Sequence, residues 1–296
     1  MSFAQTGDGV SLYYEECGSG DTIIWVHEFA GNHRSWEPQL RAFARQFHCI
    51  AFAARGYPPS DVPASPETYS QARAAHDIAA VLDAAGVERA HVVGLSMGGF
   101  AALHFALLYP GRTRTLTVAG VGYGAEPAFM AEFKALSDEA ARQFESLGSQ
   151  KLAPVYGSGA SRVQFKYKDP RGWAEFVEGL AQHDSLGAAN TMRGVQGMRP
   201  SLYDLQAELQ QLAVPTLVIT GDEDDHCIQP SVFLKKTIPA CGLLVLPKTG
   251  HTINLEEPEK FNRAVADFIV RAQCDQWWVR DAGASEQIMQ LSPQQD

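Results

Sequence analysis

The segment from Ala90 to Leu108 constrains the fold most strongly, because it joins a buried strand directly to a buried helix. Its first part is an apolar run that contains the β-branched residues Val92 and Val93, which predicts a strand. The part that begins at Phe100 is rich in alanine and leucine, which predicts a helix. A strand that passes at once into a helix is typical of a sheet with helices on its faces.

The turn between this strand and helix reads Gly94-Leu95-Ser96-Met97-Gly98, the G-x-S-x-G pattern. A serine held in such a turn projects its hydroxyl above the sheet edge, and the crowded turn favours glycine two residues to either side. Because a helix starts here, the Met97 N–H is free to point at a group that Ser96 attacks. We therefore interpret Ser96 as a nucleophile. The alternative is a tight turn whose serine only caps the helix.

Composition and charge narrow the class of protein. The 296 residues are 45% hydrophobic, which is enough for one large core with an insertion. A formal net charge of −10 argues against nucleic acid or an anionic membrane surface as a partner. No apolar run approaches the roughly 20 residues that span a bilayer, and the N-terminus lacks the features of a signal peptide. The five scattered cysteines are typical of reduced thiols, so we expect a cytoplasmic location.

Strand and helix patterns alternate through residues 1–122 and again through residues 206–274. This alternation predicts an α/β fold in which helices wrap a mostly parallel central sheet. Strand patterns are missing between residues 123 and 205, which we interpret as a helical cap inserted into the fold and call the cap below. Residues 275–296 are predicted to form a largely polar C-terminal tail. The predicted strands cover residues 10–17, 22–27, 48–54, 90–95, 115–121, 214–220 and 243–246.

Two later loops carry candidate partners for Ser96. The first follows a predicted strand and contains four acidic residues and a histidine, Asp222 to His226, and the second contains His251. Both loops leave the carboxyl edge of a parallel sheet, where Ser96 also lies. A serine hydroxyl needs a base to take its proton, and the resulting imidazolium needs a fixed negative partner. The acidic cluster could instead bind a divalent ion. However, a serine and a histidine already require an acidic partner, so the cluster is explained without a metal and we predict none.

The residues above, in this order, resemble the α/β-hydrolase superfamily, and in particular its small capped, carboxylesterase-like serine hydrolases. The resemblance covers roughly residues 10 to 272 and rests on the motifs Gly94 to Gly99, Gly221-x-x-Asp224, Gly250-His251 and Arg55-Gly56. It implies that Ser96 is the nucleophile, that His251 is the general base and then acid, and that Asp224 orients His251. The family spacing of three residues after the glycine favours Asp224 over Asp225. The resemblance implies no cofactor, and a bracing role for Arg55.

The segment His27-Glu28-Phe29 resembles the His-Gly-x segment of the family. The resemblance implies that the backbone N–H groups of Phe29 and Met97 form an oxyanion hole. Glu28 departs from the pattern, because it stands where the family has glycine. We expect Glu28 to point away from the site. The alternative is a carboxylate near the site that pairs with Arg34, Arg55 or the catalytic residues.

Aromatic and methionine side chains in the cap predict an apolar pocket over Ser96. Candidate pocket residues are Glu28, Trp36, Phe129, Phe133, Trp173 and Met192. With no basic cluster among them, the expected substrate is a small to medium, largely apolar carboxylic ester that is cleaved through an acyl-enzyme. The alternatives are a lactonase, an amidase or a carbon–carbon bond hydrolase of the same fold, or a ligand receptor that retains the triad. The oligomeric state stays open, with a homodimer as one option.

Overall fold

The computed structural model describes residues 2–281 of the chain, and these contain one eight-stranded sheet. The strand order is β1-β2-β4-β3-β5-β6-β7-β8. Strand β2 runs antiparallel to both of its neighbours, and the other pairs are parallel. The predicted fold class is therefore confirmed. The strands are β1 (Ser2–Gln5), β2 (Ser11–Cys17), β3 (Thr22–Val26), β4 (His48–Phe52), β5 (Ala90–Leu95), β6 (Thr113–Ala119), β7 (Thr216–Gly221) and β8 (Cys241–Leu246).

Strand β1 is absent from the predicted set. It has four residues, and only Ala4 among them is buried, so its pattern is too short to recognise. The helices are α1 (Glu37–Phe43), α2 (Gln71–Ala84), α3 (Met97–Leu108), α4 (Met130–Leu147), α5 (Ser149–Tyr156), α6 (Val163–Lys168), α7 (Pro170–Ala181), α8 (Ser185–Thr191), α9 (Gln206–Gln210), α10 (Asp225–Thr237), α11 (Ile253–Glu256) and α12 (Pro258–Gln273).

Helices cover both faces of the sheet. On one face, side chains of α2, α3 and α10 pack with Ile24 and Val92 of the central strands. On the other face, side chains of α1 and α12 pack with Ile23 and Trp25. Strands β3 and β5 are buried along their whole length, which explains their nearly continuous apolar sequence.

The chain between β6 and β7 forms helices and turns without a strand, as predicted for the cap. Its side chains form a third apolar cluster, which includes Phe144, Phe165 and Leu180 and which also contains Phe29 and Met97. The cap therefore packs over the carboxyl edge of the sheet. The predicted boundaries of the cap and of the flanking segments remain predictions.

The predicted tail begins at residue 275. Within it, Trp277 packs its ring 4.6 Å from that of Phe268 on α12 and donates a 3.0 Å hydrogen bond from Nε1 to the Ala240 carbonyl. The remainder of the predicted tail, residues 282–296, lies outside the described residues. Among residues 2–281, no helix is both long enough and apolar enough to cross a membrane.

Candidate active site

Ser96 lies at the junction of β5 and α3 with φ 53° and ψ −118°, a backbone conformation that L-residues rarely adopt. The turn is also crowded. A Cβ on Gly98 would lie 2.1 Å from the Val26 carbonyl oxygen, and one on Gly94 would lie 2.1 Å from the Gly98 carbonyl oxygen. The Ser96 side chain makes no capping hydrogen bond to α3. The alternative of a purely capping serine is therefore not supported.

Asp224 and His251 follow β7 and β8, and their side chains meet at a distance of 2.6 Å between Oδ2 and Nδ1. Both residues are buried, whereas Asp225 is exposed. Burial raises the pKa of the Asp224 carboxyl, but attraction to His251 and hydrogen bonds from its neighbours outweigh burial and hold that pKa below its ordinary value. An ionised Asp224 at neutral pH fixes the proton of His251 on Nδ1 and leaves Nε2 as the acceptor.

Two further residues that sequence reasoning missed surround this pair. Tyr123 donates a 3.1 Å hydrogen bond from its hydroxyl to Asp224 Oδ1, and its ring stands perpendicular to the His251 ring at 5.2 Å. The Cys227 sulfur lies 3.9 Å from His251 Nδ1. Cys227 lies three residues beyond Asp224, in the first turn of α10. This spacing is the only feature of the sequence that could have placed Cys227 near Asp224.

The peptide between Glu28 and Phe29 is held in place by His27. His27 Nε2 accepts a 3.0 Å hydrogen bond from the Ala54 N–H, so the ring proton sits on Nδ1, which donates to the Glu28 carbonyl at 2.7 Å. Burial lowers the pKa of His27 to about 3, so the ring is neutral at pH 7. Within residues 2–281, the Phe29 and Met97 N–H groups donate to no other residue. Both therefore have the free donors that an oxyanion hole requires.

Glu28 forms a buried ion pair with Arg162 of the cap. Each side chain is 2% exposed, and Arg162 Nη1 lies 2.9 Å from Glu28 Oε1, with a second contact between Nη2 and Oε2. Arg162 also donates to the hydroxyl of Thr252, while the Ser161 carbonyl accepts a 2.9 Å hydrogen bond from the His251 N–H. Neither sequence alternative predicted Arg162 as the partner, because the two residues are 134 positions apart.

The candidate pocket residues have different surroundings. Trp36 is fully buried in the core between Trp25 and Phe261, with ring distances of 5.1 and 6.0 Å. Its apolar character serves the packing of α1 and α12 instead. Phe129 is 45% exposed, with its ring 6.4 Å from the exposed His226.

Like Phe129, the other three of these candidates lie within the cap. Trp173 donates a 2.6 Å hydrogen bond to the Gly157 carbonyl and packs inside the cap. Met192 is buried in the cluster that contains Phe29, and Phe133 is half-buried beside Tyr123. Met192 and Phe133 therefore remain the best-placed pocket candidates.

A surface cleft of about 1100 Å³ lies between the loop after β3 and α7. Its lining includes His33, Tyr57, Phe176 and His183, but none of Ser96, Asp224 and His251.

Ligand atoms of Asp224, Cys227 and His251 lie within 4.8 Å of one another, a spacing that a metal ion could bridge. An ion there would compete with the short hydrogen bond between Asp224 and His251. The candidate metal ligands that the sequence suggested differ from these three residues, because Asp225 and His226 are exposed.

Comparisons with known proteins match almost the whole chain. A family model of the alpha/beta hydrolase fold matches residues 21–258. The 3-oxoadipate enol-lactonase 1 of Acinetobacter baylyi is 27% identical, over 90% of this chain and 95% of that protein. The 2-hydroxy-6-oxononadienedioate/2-hydroxy-6-oxononatrienedioate hydrolase of Paraburkholderia xenovorans is 28% identical, over 89% and 92%. The crystal structure of a hydrolase from Pseudomonas aeruginosa superposes with a TM-score of 0.79 at 28% identity, over 90% and 97%.

Proposed function

The chain belongs to the alpha/beta hydrolase family, and on that premise we propose that it is a serine hydrolase that cleaves a small to medium carboxylic ester through an acyl-enzyme. The observation that carries the proposal is the strained Ser96 at the head of α3 together with the buried Asp224–His251 pair. Backbone strain at a nucleophile is typical of a residue whose position is fixed for reaction.

In the first half of the proposed reaction, Ser96 Oγ attacks the ester carbonyl carbon and its proton passes to His251 Nε2. The N–H groups of Phe29 and Met97 donate to the oxyanion that develops, and each such donor typically contributes about 10²-fold or more in rate. His251 then protonates the leaving alcohol, which leaves an acyl group on Ser96. Asp224 stays ionised and stabilises the imidazolium.

In the second half, water enters where the alcohol has left. His251 takes a proton from this water as it attacks the acyl carbon, and then returns that proton to Ser96 Oγ. The products are the free acid and the regenerated serine. Each step uses the substrate, water and residues of this chain.

A lactone is the second candidate substrate, and the relative named as an enol-lactonase favours it. A lactone is an ester whose leaving alcohol remains attached to the acyl group, so the same residues serve both reactions. The difference lies in whether the pocket accommodates a ring.

Hydrolysis of p-nitrophenyl esters from acetate to decanoate tests the proposal. We expect turnover by the wild type with an optimum at one chain length, and loss of that turnover in Ser96→Ala. Ser158→Ala is a matched control, because Ser158 is an exposed serine of the cap. A folded wild type that hydrolyses neither these esters nor a series of γ- and δ-lactones would contradict the proposal.

A further inference from the structure

In the described part of the chain, residues 2–281, three arginines are buried, and they differ in their partners. Arg55 binds Asp77, with distances of 2.6 and 2.7 Å, and Arg162 binds Glu28. Arg199 is 4% exposed, and among residues 2–281 it has no carboxylate partner and no side-chain hydrogen bond. Its Nε and Nη1 atoms are both fully buried and unpaired.

The faces of the Arg199 guanidinium are occupied by aromatic rings. Its Cζ lies over the Phe100 ring, 4.0 Å from the centroid, and 5.0 Å from the centroid of Phe133. Such stacking partly compensates a buried cation, but it leaves Nε and Nη1, one on each carboxylate-binding edge of the guanidinium, without acceptors. Burial lowers the pKa of Arg199 to about 9, which is still above neutral pH, so the charge persists.

The residues around Arg199 are those that support the candidate catalytic residues. Phe100 is one turn beyond Ser96 on α3, and its N–H donates to the Ser96 carbonyl at 2.9 Å. Phe133 packs beside Tyr123, which donates to Asp224. Arg199, itself a residue of the cap, therefore packs against side chains that are one contact away from Ser96 and Asp224.

A buried cation without a counter-charge is unfavourable, and an ion-pairing ligand would remove that penalty. The edge of a guanidinium matches the two oxygens of a carboxylate, which it binds through two parallel hydrogen bonds. The two neighbouring rings, Phe100 and Phe133, are uncharged, so this site offers a single positive charge. One positive charge matches a carboxylate better than a ligand group with two negative charges. We propose that Arg199 binds a carboxylate carried by the substrate, so that the substrate is an ester or lactone with a free acid group away from the reacting carbonyl. This inference rests on the proposed function.

Equilibrium binding to the Ser96→Ala variant tests the inference without turnover. The probes are monomethyl esters of dicarboxylic acids from succinate to suberate, each compared by calorimetry with the uncharged methyl ester of the same chain length, such as methyl hexanoate for monomethyl adipate. At the best chain length we expect the charged ester to bind roughly 10- to 100-fold more tightly, as for hydrogen bonds to charged groups. Equal affinity for charged and uncharged esters throughout the series would overturn the inference.

A second variant assigns the preference to Arg199. In Ser96→Ala/Arg199→Gln, checked for folding by circular dichroism, the preference for the charged ester should disappear. Arg171→Gln in the same background is the control, because Arg171 is a 91% exposed arginine of the cap and should retain the preference. Retention of the preference in the Arg199→Gln variant would overturn the assignment. Because binding is measured without the nucleophile, a failed ester assay and a failed binding assay remain distinguishable.

Discussion

Glu28 and Arg162 form a buried ion pair that joins the loop after β3 to the cap. Arg162 also donates to Thr252, the residue after His251, and Glu28 precedes Phe29. The pair thus links the proposed oxyanion donor to the loop of the proposed general base. A carboxylate at the position where the family has glycine is explained by this contact with the cap.

Replacing one partner of this pair should destabilise the fold. Glu28→Gln leaves the Arg162 charge buried without compensation, so we expect the free energy of unfolding to fall by roughly 3–5 kcal/mol. In Glu28→Gln/Arg162→Gln no charge remains buried, and part of that loss should be recovered. Urea unfolding of the wild type, both single variants and the double variant gives the coupling energy between the two residues.

The exposed pair of Arg193 and Glu145 provides the control for this cycle. Glu145→Gln should lower the free energy of unfolding by less than about 1 kcal/mol, because solvent screens exposed ion pairs. Equal losses for Glu28→Gln and Glu145→Gln would show that the buried pair has no special role in stability.

Asp224→Asn should abolish most activity, whereas Asp225→Asn should not. An amide at position 224 no longer stabilises the imidazolium and disfavours the His251 tautomer with the proton on Nδ1, so we expect kcat to fall by roughly 10³- to 10⁴-fold. Asp225 is exposed and contributes no contact to His251. Steady-state kinetics on the best ester compares the two variants. A large loss in Asp225→Asn with a small one in Asp224→Asn would reverse the assignment.

His27→Gln should slow the chemical step without weakening substrate binding. His27 holds the Glu28 carbonyl, and through it the orientation of the Phe29 N–H, so its loss should lower kcat by about 10-fold or more while KM changes little. His76→Gln is the control, since His76 is exposed on α2. A rise in KM at constant kcat would instead place His27 in substrate binding.

The free energy of unfolding should fall as the pH is lowered from about 6.5 towards 4. Burial lowers the pKa of His183 and of His91 to about 4, so these rings stay neutral in the folded protein over a range in which the unfolded chain takes up protons. Each such histidine adds a slope of up to about 1.4 kcal/mol per pH unit. His183→Phe should reduce the slope measured by urea unfolding between pH 7 and 5. An unchanged slope would exclude His183 as a contributor.

Local patterns predicted the fold and the positions of Ser96, Asp224 and His251. The nucleophile turn is marked by a motif of five residues, although the structure also packs Gly98 against the Val26 carbonyl. The acid and base lie at strand ends whose common edge follows from parallel topology. The choice of Asp224 over Asp225 came from the resemblance and stays a prediction. In the structure Asp224 is buried against His251, whereas Asp225 is exposed.

These local patterns did not predict contacts between residues that are far apart in the sequence. Trp36 lies in a segment that also contains loop residues next to the site, and its sequence does not say which face of the sheet its ring joins. The partner of Glu28 lies 134 residues away in the cap, where no motif marks it. Whether Arg199 has a partner depends on which residues surround it in the folded protein, and the sequence does not give those surroundings.

The central claim is that Ser96 is the nucleophile, and covalent labelling tests it most directly. The protein is treated with an alkyl fluorophosphonate, and its mass is measured intact and after digestion. We predict the addition of one phosphonyl group, located on Ser96, and no addition to Ser96→Ala under the same conditions. A wild type that remains unlabelled, or that is labelled on a residue other than Ser96, would contradict the account.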